Sequence, residues 1–142
     1  MSQLNRCPGE FLEFAGVLAD AVQPIVRRHF RANPETTQKS NQTPVTIADQ
    51  QVETCLRAMI EARYPSHGII GEEYGAVNLE ADFVWVLDPI DGTHAFICGL
   101  PLFGTLISLT YCKRGLLGLM DQAISGERWL GARGHGATWN AQ

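Results

Sequence analysis

Apolar residues in the first part of the chain recur at steps of three and four, which is the spacing of amphipathic helices. The first such segment runs from Glu10 to about Arg31. Its apolar positions are Phe11, Ala15, Leu18, Val22 and Ile25. Pro24 lies inside this segment, where the proline ring removes a backbone donor and crowds the preceding turn. We therefore expect an N-terminal helix that is kinked or split at Pro24.

A second helix is predicted from Thr46 to about Arg63. Thr46 and Asp49 have the spacing of a capping box in which Asp takes the place of Glu. The apolar stripe of this helix consists of Ala48, Val52, Cys55, Leu56 and Met59. The polar segment 33–44 that precedes it is predicted to be a loop. Two such helices pack together and leave a shared apolar face that a sheet can cover.

From Gly68 onward the apolar residues follow the spacing of strands. The predicted strands are 68–71, 83–87, 104–112, 116–122, 127–131 and 137–140, with helical turns at 94–98 and a loop at 75–82. Short turns join the last four strands, which favours antiparallel pairing. We therefore predict one α+β domain over residues 1–142, with two N-terminal helices packed on a mostly antiparallel sheet.

Composition and charge exclude several classes of protein. The chain has 142 residues, a net charge of −4 and 18% charged residues, so it lacks the basic character of a nucleic-acid-binding protein. Its apolar runs are too short to span a membrane, and residues 1–10 lack the apolar centre of a signal peptide. The four cysteines form no Cys-x-x-Cys pair, which favours reduced thiols over a zinc or redox site. We expect a cytoplasmic protein with no nucleic-acid or membrane partner.

The stretch from Trp85 to Phe96 carries the strongest candidate chemistry. An apolar run ends in two carboxylates three residues apart, Asp88 and Asp91, and Gly92 and Thr93 follow at once. This order suits a strand that brings acids to its end and then turns into a helix. Hard cations bind oxygen ligands, and the N-terminus of a helix binds phosphate. The stretch predicts a metal site that faces a phosphate site; an ordinary turn with a helix N-cap is the alternative.

Two further acids and one carbonyl group can join this stretch. Asp49 and Glu72 also lie at the ends of predicted elements, where side chains from different elements converge. Pro89 restricts the backbone between the two aspartates, so that the Ile90 carbonyl can become a third oxygen ligand. Asp49 alone would be read as a capping acid, and Glu72 alone as an exposed loop residue. Divalent-metal phosphate chemistry is therefore one of the open interpretations.

Three segments of the sequence resemble the inositol monophosphatase family of magnesium-dependent phosphatases. They are Pro44–Asp49, Tyr64–Glu73 and Trp85–Thr93, and they follow the family's order and approximate spacing. The glycine-rich segment Gly131–Ala137 is similar to the family as well. The resemblance implies the N-terminal portion of a sugar-phosphatase-like αβαβα fold. It also implies hydrolysis of a small phosphomonoester by a metal-activated water.

Two details resemble the histidinol-phosphate phosphatase branch of this family. One is the segment Ala95–Pro101, and the other is Met120–Gln122 followed by Gly126–Trp129. His94 stands where that branch often has a basic residue such as Arg. The branch makes histidinol phosphate the preferred substrate, with an inositol phosphate or a sugar phosphate as the alternative.

The resemblance assigns the metal ligands. The cofactor would be Mg²⁺, with two or three ions in a complete site. Glu72, Asp88 and the Ile90 carbonyl would bind the first ion. Asp88 would bridge to a second ion that is held by Asp91. Two ions about 4 Å apart can activate water and neutralise the phosphate.

The resemblance also assigns the residues that act on substrate and water. The backbone amides of Gly92 and Thr93 would bind the phosphate at the start of the helix. Thr93, paired with Asp49, and Glu72 would orient the attacking water and help to deprotonate it. Lys39 matches a family lysine near the metal site and would contribute only electrostatically.

The family usually continues into a second α/β domain that is absent from this sequence. A Trp-Asp-x-Ala-Ala-Gly-like motif in that domain supplies an aspartate to the second metal site, and no such motif occurs here. We therefore expect one of three forms. The chain is a truncated protein, a natural short form whose substrate pocket is completed by a second subunit, or an inactive fragment that binds metal or phosphate. A sheet that ends here would expose an apolar face and an edge, so we expect a homo-oligomer, most simply a dimer.

Overall fold

The computed structural model describes residues 4–32 and 44–142. Its helices are α1 (Gly9–His29), α2 (Pro44–Arg63) and α3 (Thr93–Ile97), and its strands are β1 (Gly68–Gly71), β2 (Gly75–Val77), β3 (Phe83–Asp91), β4 (Gly104–Tyr111), β5 (Arg114–Gln122), β6 (Glu127–Ala132) and β7 (Gly136–Trp139). Lys39 and most of the predicted 33–44 loop lie outside the described residues.

The strands form one sheet in the order β2-β1-β3-β4-β5-β6-β7. β1 and β3 pair in parallel, and the other neighbouring strands pair antiparallel. Strands β4 to β7 follow one another across the sheet because short turns join antiparallel neighbours, whereas the segment that joins β3 to β4 contains α3. The predicted α+β class with a mostly antiparallel sheet is confirmed.

Two strands differ most from the prediction. The predicted 75–82 loop is wrong in its first three residues, which form β2. All three side chains of β2 are exposed, so no apolar alternation marks this strand in the sequence. β3 continues beyond the predicted Leu87 to Asp91, because its pairing with β4 extends past Pro89 and Ile90. The candidate acids therefore lie within the strand end rather than after it.

Both long helices also differ from the prediction in detail. α1 continues through Pro24, so the predicted split is wrong. Val22 and Val26 on either side are each 1% exposed, and their packing in the core holds the helix together despite the missing backbone donor. α2 begins at Pro44, two residues before Thr46, because proline is tolerated in the first turn, where its missing N–H needs no partner.

α1 and α2 cover one face of the sheet and form the core with it. Fully buried residues come from both helices and from the central strands. Examples are Leu18 and Val22 of α1, Val52, Leu56 and Ile60 of α2, and Trp85, Ile107 and Leu109 of the sheet. Each such side chain contributes about 1.5–3 kcal/mol by leaving water. None of the helices in the described part of the chain combines the length and apolarity that a membrane span requires.

Within the described residues, the other face of β4–β7 is uncovered. Leu106, Met120, Trp129 and Trp139 form a row across this face, because the strand register pairs each with the next. Met120, Trp129 and Trp139 are 37%, 39% and 50% exposed. We call these four residues the open sheet face.

Candidate active site

A bulge brings the two aspartates of β3 to the same side of the sheet. Asp88 pairs with Leu106 and Asp91 pairs with Gly104, so three steps along β3 match two steps along β4. Successive residues of a regular strand point to opposite faces, and residues three apart would do the same. The extra residue of the bulge cancels this alternation, so that Asp88 and Asp91 lie on one side.

Glu72 reaches the same place from the neighbouring strand. β1 and β3 are parallel, and their last pair, Gly71 with Leu87, immediately precedes Glu72 and Asp88. Adjacent strands lie about 4.8 Å apart, so the two carboxyl groups stand side by side. They are close enough to share a hydrogen bond. Two of the predicted metal ligands are therefore in contact.

The carboxyl group of Asp88 holds a proton more tightly than that of an ordinary aspartate. Burial raises the pKa of Asp88 to about 6, and the charge and hydrogen bond of Glu72 and the charge of Asp91 add to the rise. A hydrogen bond with the Ile90 backbone acts in the opposite direction. The Oδ1 atom of Asp88 is buried and has no hydrogen-bond partner. Such an oxygen is costly unless a donor or a cation occupies its lone pairs.

Asp49 adds another carboxyl group to this cluster from the N-terminal part of α2. It is 8% exposed, and burial is the main reason that the pKa of Asp49 rises to about 7. The charges of Glu73, Glu72 and Asp88 raise this pKa further. A hydrogen bond with the Ile90 backbone lowers it, as it does for the neighbouring aspartate. The fold thus concentrates carboxyl groups that repel one another.

The donor chemistry of the cluster fits a hard divalent cation. Its members are carboxylates and a backbone carbonyl, which are the ligands of Mg²⁺, and a positive ion would relieve their repulsion. Over residues 4–32 and 44–142, no three His, Cys, Asp or Glu side chains are already arranged to hold a metal ion. The part of the site that fits is the contact between Glu72 and Asp88, with the unpaired Oδ1 atom and with Asp91 nearby.

Gly92 and Thr93 lie at the start of α3. Gly92 has φ of +91°, and a Cβ added there would lie 2.8 Å from the Leu102 carbonyl oxygen, so any larger residue would be strained. Thr93 Oγ1 donates a hydrogen bond to the Ile90 carbonyl at 3.3 Å. This is the carbonyl that the resemblance assigns to the first ion. The pairing of Thr93 with Asp49 stays a prediction.

Two buried polar residues support the site although sequence reasoning does not single them out. Glu53 is completely buried and accepts hydrogen bonds from the backbone amides of Glu73 at 2.7 Å and Tyr74 at 3.1 Å. Thr105 is 2% exposed and donates from Oγ1 to the Pro89 carbonyl at 2.8 Å, which holds the bulge. The sequence signal that could have identified Glu53 as a buried acid is its position beside the apolar stripe of α2. The threonine carries no signal beyond its place on a predicted strand.

Comparison with known proteins identifies close sequence relatives. Residues 8–142 match the family described as the inositol monophosphatase family. The bifunctional phosphatase IMPL2 of Arabidopsis thaliana is 46% identical over 97% of this chain and 43% of its own length. A histidinol-phosphatase of Chlorobaculum parvum is 35% identical over 91% of this chain and 50% of its own length. Inositol monophosphatase 1 of Bos taurus is 33% identical over 94% and 50%, respectively.

The fold is shared with solved structures of the same kind. An inositol monophosphatase from Zymomonas mobilis has a TM-score of 0.83 and 40% sequence identity, over 94% of this chain and 51% of that chain. The chain spans about half the length of the curated relatives it matches. The matched residues include every described residue of the candidate site. This chain belongs to the inositol monophosphatase family.

Proposed function

We propose that residues 1–142 form the N-terminal metal-binding domain of a Mg²⁺-dependent phosphomonoesterase. The observation that carries the proposal is the contact between Glu72 and Asp88, in which one Asp88 oxygen is buried without a partner. A hard cation is the ligand that such an oxygen suits best. Membership of a family of phosphatases supports the same conclusion.

In this proposal four groups at the ends of β1 and β3 hold two or three Mg²⁺ ions in a complete site. They are the carboxylates of Glu72, Asp88 and Asp91 and the carbonyl of Ile90. Bound Mg²⁺ supplies positive charge to the phosphate and lowers the pKa of a bound water. The bulge contributes by placing both aspartates on one side of the sheet.

The remaining site residues act on the substrate and on water. The backbone amides of Gly92 and Thr93, at the start of α3, donate to the phosphate. The buried carboxyl group of Asp49 lies beside the acidic cluster, where it feels the charges of Glu72, Glu73 and Asp88. With Thr93 and Glu72 it orients the attacking water and helps to deprotonate it. Direct attack by water needs no covalent intermediate, so positioning is the main task of these residues.

The preferred substrate in this proposal is histidinol phosphate. The segment Ala95–Pro101 and the histidinol-phosphatase relative support this choice. An inositol phosphate is the alternative, supported by the inositol monophosphatase relatives. Rates of phosphate release from histidinol phosphate and inositol phosphate, measured side by side with Mg²⁺, separate the two.

Phosphate release tests the proposal directly. We expect the chain to hydrolyse a small phosphomonoester in the presence of Mg²⁺, and we expect Asp88→Asn to lower the rate at least about 100-fold, since Asp88 would help to hold both proposed ions. Full activity of Asp88→Asn would refute the site. No phosphate release from any of several phosphomonoesters would refute catalysis by this chain.

A second candidate function is metal binding without turnover. The chain spans about half of its relatives, and its described carboxylates do not form a three-ligand metal site. Calorimetry with Mg²⁺ beside the activity assay separates the candidates, because binding without phosphate release favours the second.

We further propose that the open sheet face is covered by a second copy of the chain, giving a dimer. Its three most exposed members are large apolar residues, which a second copy would remove from water. Light scattering after size exclusion should show twice the chain mass of 15.6 kDa. A clean monomer would contradict this.

A cytoplasmic location is also proposed. Its support is that the four cysteines, Cys7, Cys55, Cys98 and Cys112, are all free thiols in the structure. Fractionation of cells that express a tagged chain tests this location, and recovery outside the cytoplasm would refute it.

A further inference from the structure

The turn that carries Glu72 is held by a buried carboxylate of α2. β1 and β2 form a hairpin whose turn is residues 72–74. Glu53 accepts a hydrogen bond through Oε2 from the Glu73 amide at 2.7 Å and through Oε1 from the Tyr74 amide at 3.1 Å. The two amides that follow Glu72 are therefore fixed to the helix.

Arg57 completes this attachment one turn further along α2. Its Nε atom donates to Glu53 Oε1 at 2.8 Å, and its Nη2 atom donates to the Gly75 carbonyl. The guanidinium group thus links the carboxylate to the far end of the turn. The side chains of Arg57 and Glu53 are 11% and 0% exposed, so salt screens this pair only weakly.

Gly71, the residue before Glu72, shows how closely the helix approaches the strand. A Cβ atom added at Gly71 would overlap the Glu53 carboxylate. The carboxylate can occupy its position only because residue 71 has no side chain. The backbone is therefore constrained on both sides of Glu72, by close packing before it and by hydrogen bonds after it.

We propose that Glu53 and Arg57 are positioning residues that fix the Glu72 carboxylate beside Asp88. This inference rests on the proposed function, because it takes Glu72 to be a metal ligand. Glu53 lies in the core and acts through the turn rather than on the substrate. A purely structural role would lower stability and leave the metal affinity of the folded chain unchanged. A positioning role lowers the metal affinity of the folded chain as well.

Glu53→Gln is the first test, since it keeps the shape of the side chain but replaces one acceptor oxygen by an NH₂ group that cannot accept a hydrogen bond. With Mn²⁺ as the probe, we expect at least about tenfold weaker binding in calorimetry, the usual effect of losing a group that orients a ligand. We also expect the amide that comes to face the NH₂ group, that of Glu73 or that of Tyr74, to exchange hydrogen at least about tenfold faster by NMR. Glu61→Gln, an exposed site on the same helix, is the matched control and should change neither quantity.

Arg57→Met and Arg57→Lys form a second test that stays informative if Glu53→Gln fails to fold. Methionine removes both the charge and the paired N–H donors of the guanidinium group, whereas lysine keeps the charge. We expect Arg57→Lys to retain most of the Mn²⁺ affinity that Arg57→Met loses. Thermal denaturation establishes that each variant is folded at the temperature of the binding measurement.

Wild-type Mn²⁺ affinity in folded Glu53→Gln, or in folded Arg57→Met, would overturn the inference. Unchanged exchange of both the Glu73 and the Tyr74 amide in Glu53→Gln would overturn it as well. A wild-type chain that binds no Mn²⁺ would instead refute the proposed function. Faster exchange of either amide would then still support the part of the inference that concerns the turn.

Discussion

Glu53 is fully buried and Asp88 is half-buried, but only Glu53 has a hydrogen-bond partner for every buried carboxylate oxygen. Glu53 accepts from Arg57 and from two backbone amides, so its charge is compensated. Asp88 has a buried Oδ1 atom without a partner, and its neighbours Glu72 and Asp91 raise its pKa further. A buried acid with its hydrogen bonds satisfied serves the fold, whereas one without them marks a place that needs a ligand.

The two acids are joined by a single turn. The amides of residues 73 and 74 bind Glu53, while the carboxyl group of Glu72 contacts Asp88. Repulsion between two carboxylates would push a free turn away from the strand. The hydrogen bonds to α2 resist this movement. Unfavourable contacts held in place by well-satisfied surroundings are characteristic of functional sites.

The largest effect is expected for Glu53→Ala. This change leaves the Arg57 guanidinium group and two backbone amides without their acceptor, and the loss of one partner from a buried pair costs about 3–5 kcal/mol. Urea denaturation measures the free energy of unfolding. Glu61→Ala on the exposed side of the same helix should stay within about 0.5 kcal/mol of wild type. Equal losses at both positions would remove the contrast between Glu53 and an ordinary surface acid.

Asp88→Asn is expected to act in the opposite direction in metal-free protein. It removes the charge from a carboxylate whose pKa is raised to about 6, and it should stabilise the chain by about 1 kcal/mol after allowance for solvent screening. The same change should abolish any rise of the melting temperature on addition of Mg²⁺. Glu80→Gln, an exposed change of equal charge, should preserve the Mg²⁺ response. Destabilisation by Asp88→Asn without metal would show that Asp88 is satisfied after all.

Much of the fold follows from local spacing, because apolar periodicity is a property of each segment alone. The two long helices and the strands with buried faces are predicted close to their observed bounds. β2 is not, since all its side chains are exposed. The parallel pairing of β1 with β3 depends on tertiary structure, and no local sequence pattern predicts it.

The candidate site shows the same division. Asp88 and Asp91 stand out in the sequence because they end an apolar run. Their placement on one side depends on a bulge that pairing with β4 and the Thr105 hydroxyl produce. Glu53 contacts an amide twenty residues away, so spacing within α2 cannot reveal its partner. The sequence thus singles out the acids of the cluster better than the residues that hold the cluster in place.

An effect of comparable size should appear in the pH dependence of stability. The pKa values of Asp49 and Asp88 are raised to about 7 and about 6 from 3.8, so the folded chain binds more protons than the unfolded chain between these values. The free energy of unfolding without metal should therefore fall by at least about 1 kcal/mol as pH rises from about 4 to 7. To measure this fall, the free energy of unfolding is determined as a function of pH for the wild type and for the double variant Asp49→Asn/Asp88→Asn. Curves that run parallel over this range would contradict the prediction.

His67 contributes a slope of opposite sign to these curves and is present in both proteins. Burial lowers the pKa of His67 from 6.5, and the Glu10 carboxylate partly offsets this. Its Nδ1 atom accepts a hydrogen bond from the Trp85 indole at 3.1 Å, which requires the neutral ring. His67 therefore contributes stability above pH 6.5 that is lost as pH falls towards its folded pKa. The difference between wild type and the double variant cancels this contribution.

The smallest effect is expected for Asp20→Asn. This change tests whether an acid that forms an ion pair contributes to stability only when it is also buried. Arg128 binds Asp121 through Nε at 2.7 Å and Asp20 through Nη2 at 2.8 Å. The side chains of Asp121 and Asp20 are 2% and 70% exposed, so one cation pairs with a buried acid and with an exposed acid. Water competes for Asp20, and its loss should cost at most about 0.5 kcal/mol in urea denaturation. A decrease of more than about 1 kcal/mol in the free energy of unfolding would contradict this, because the exposed partner of Arg128 would then contribute as much as a buried partner.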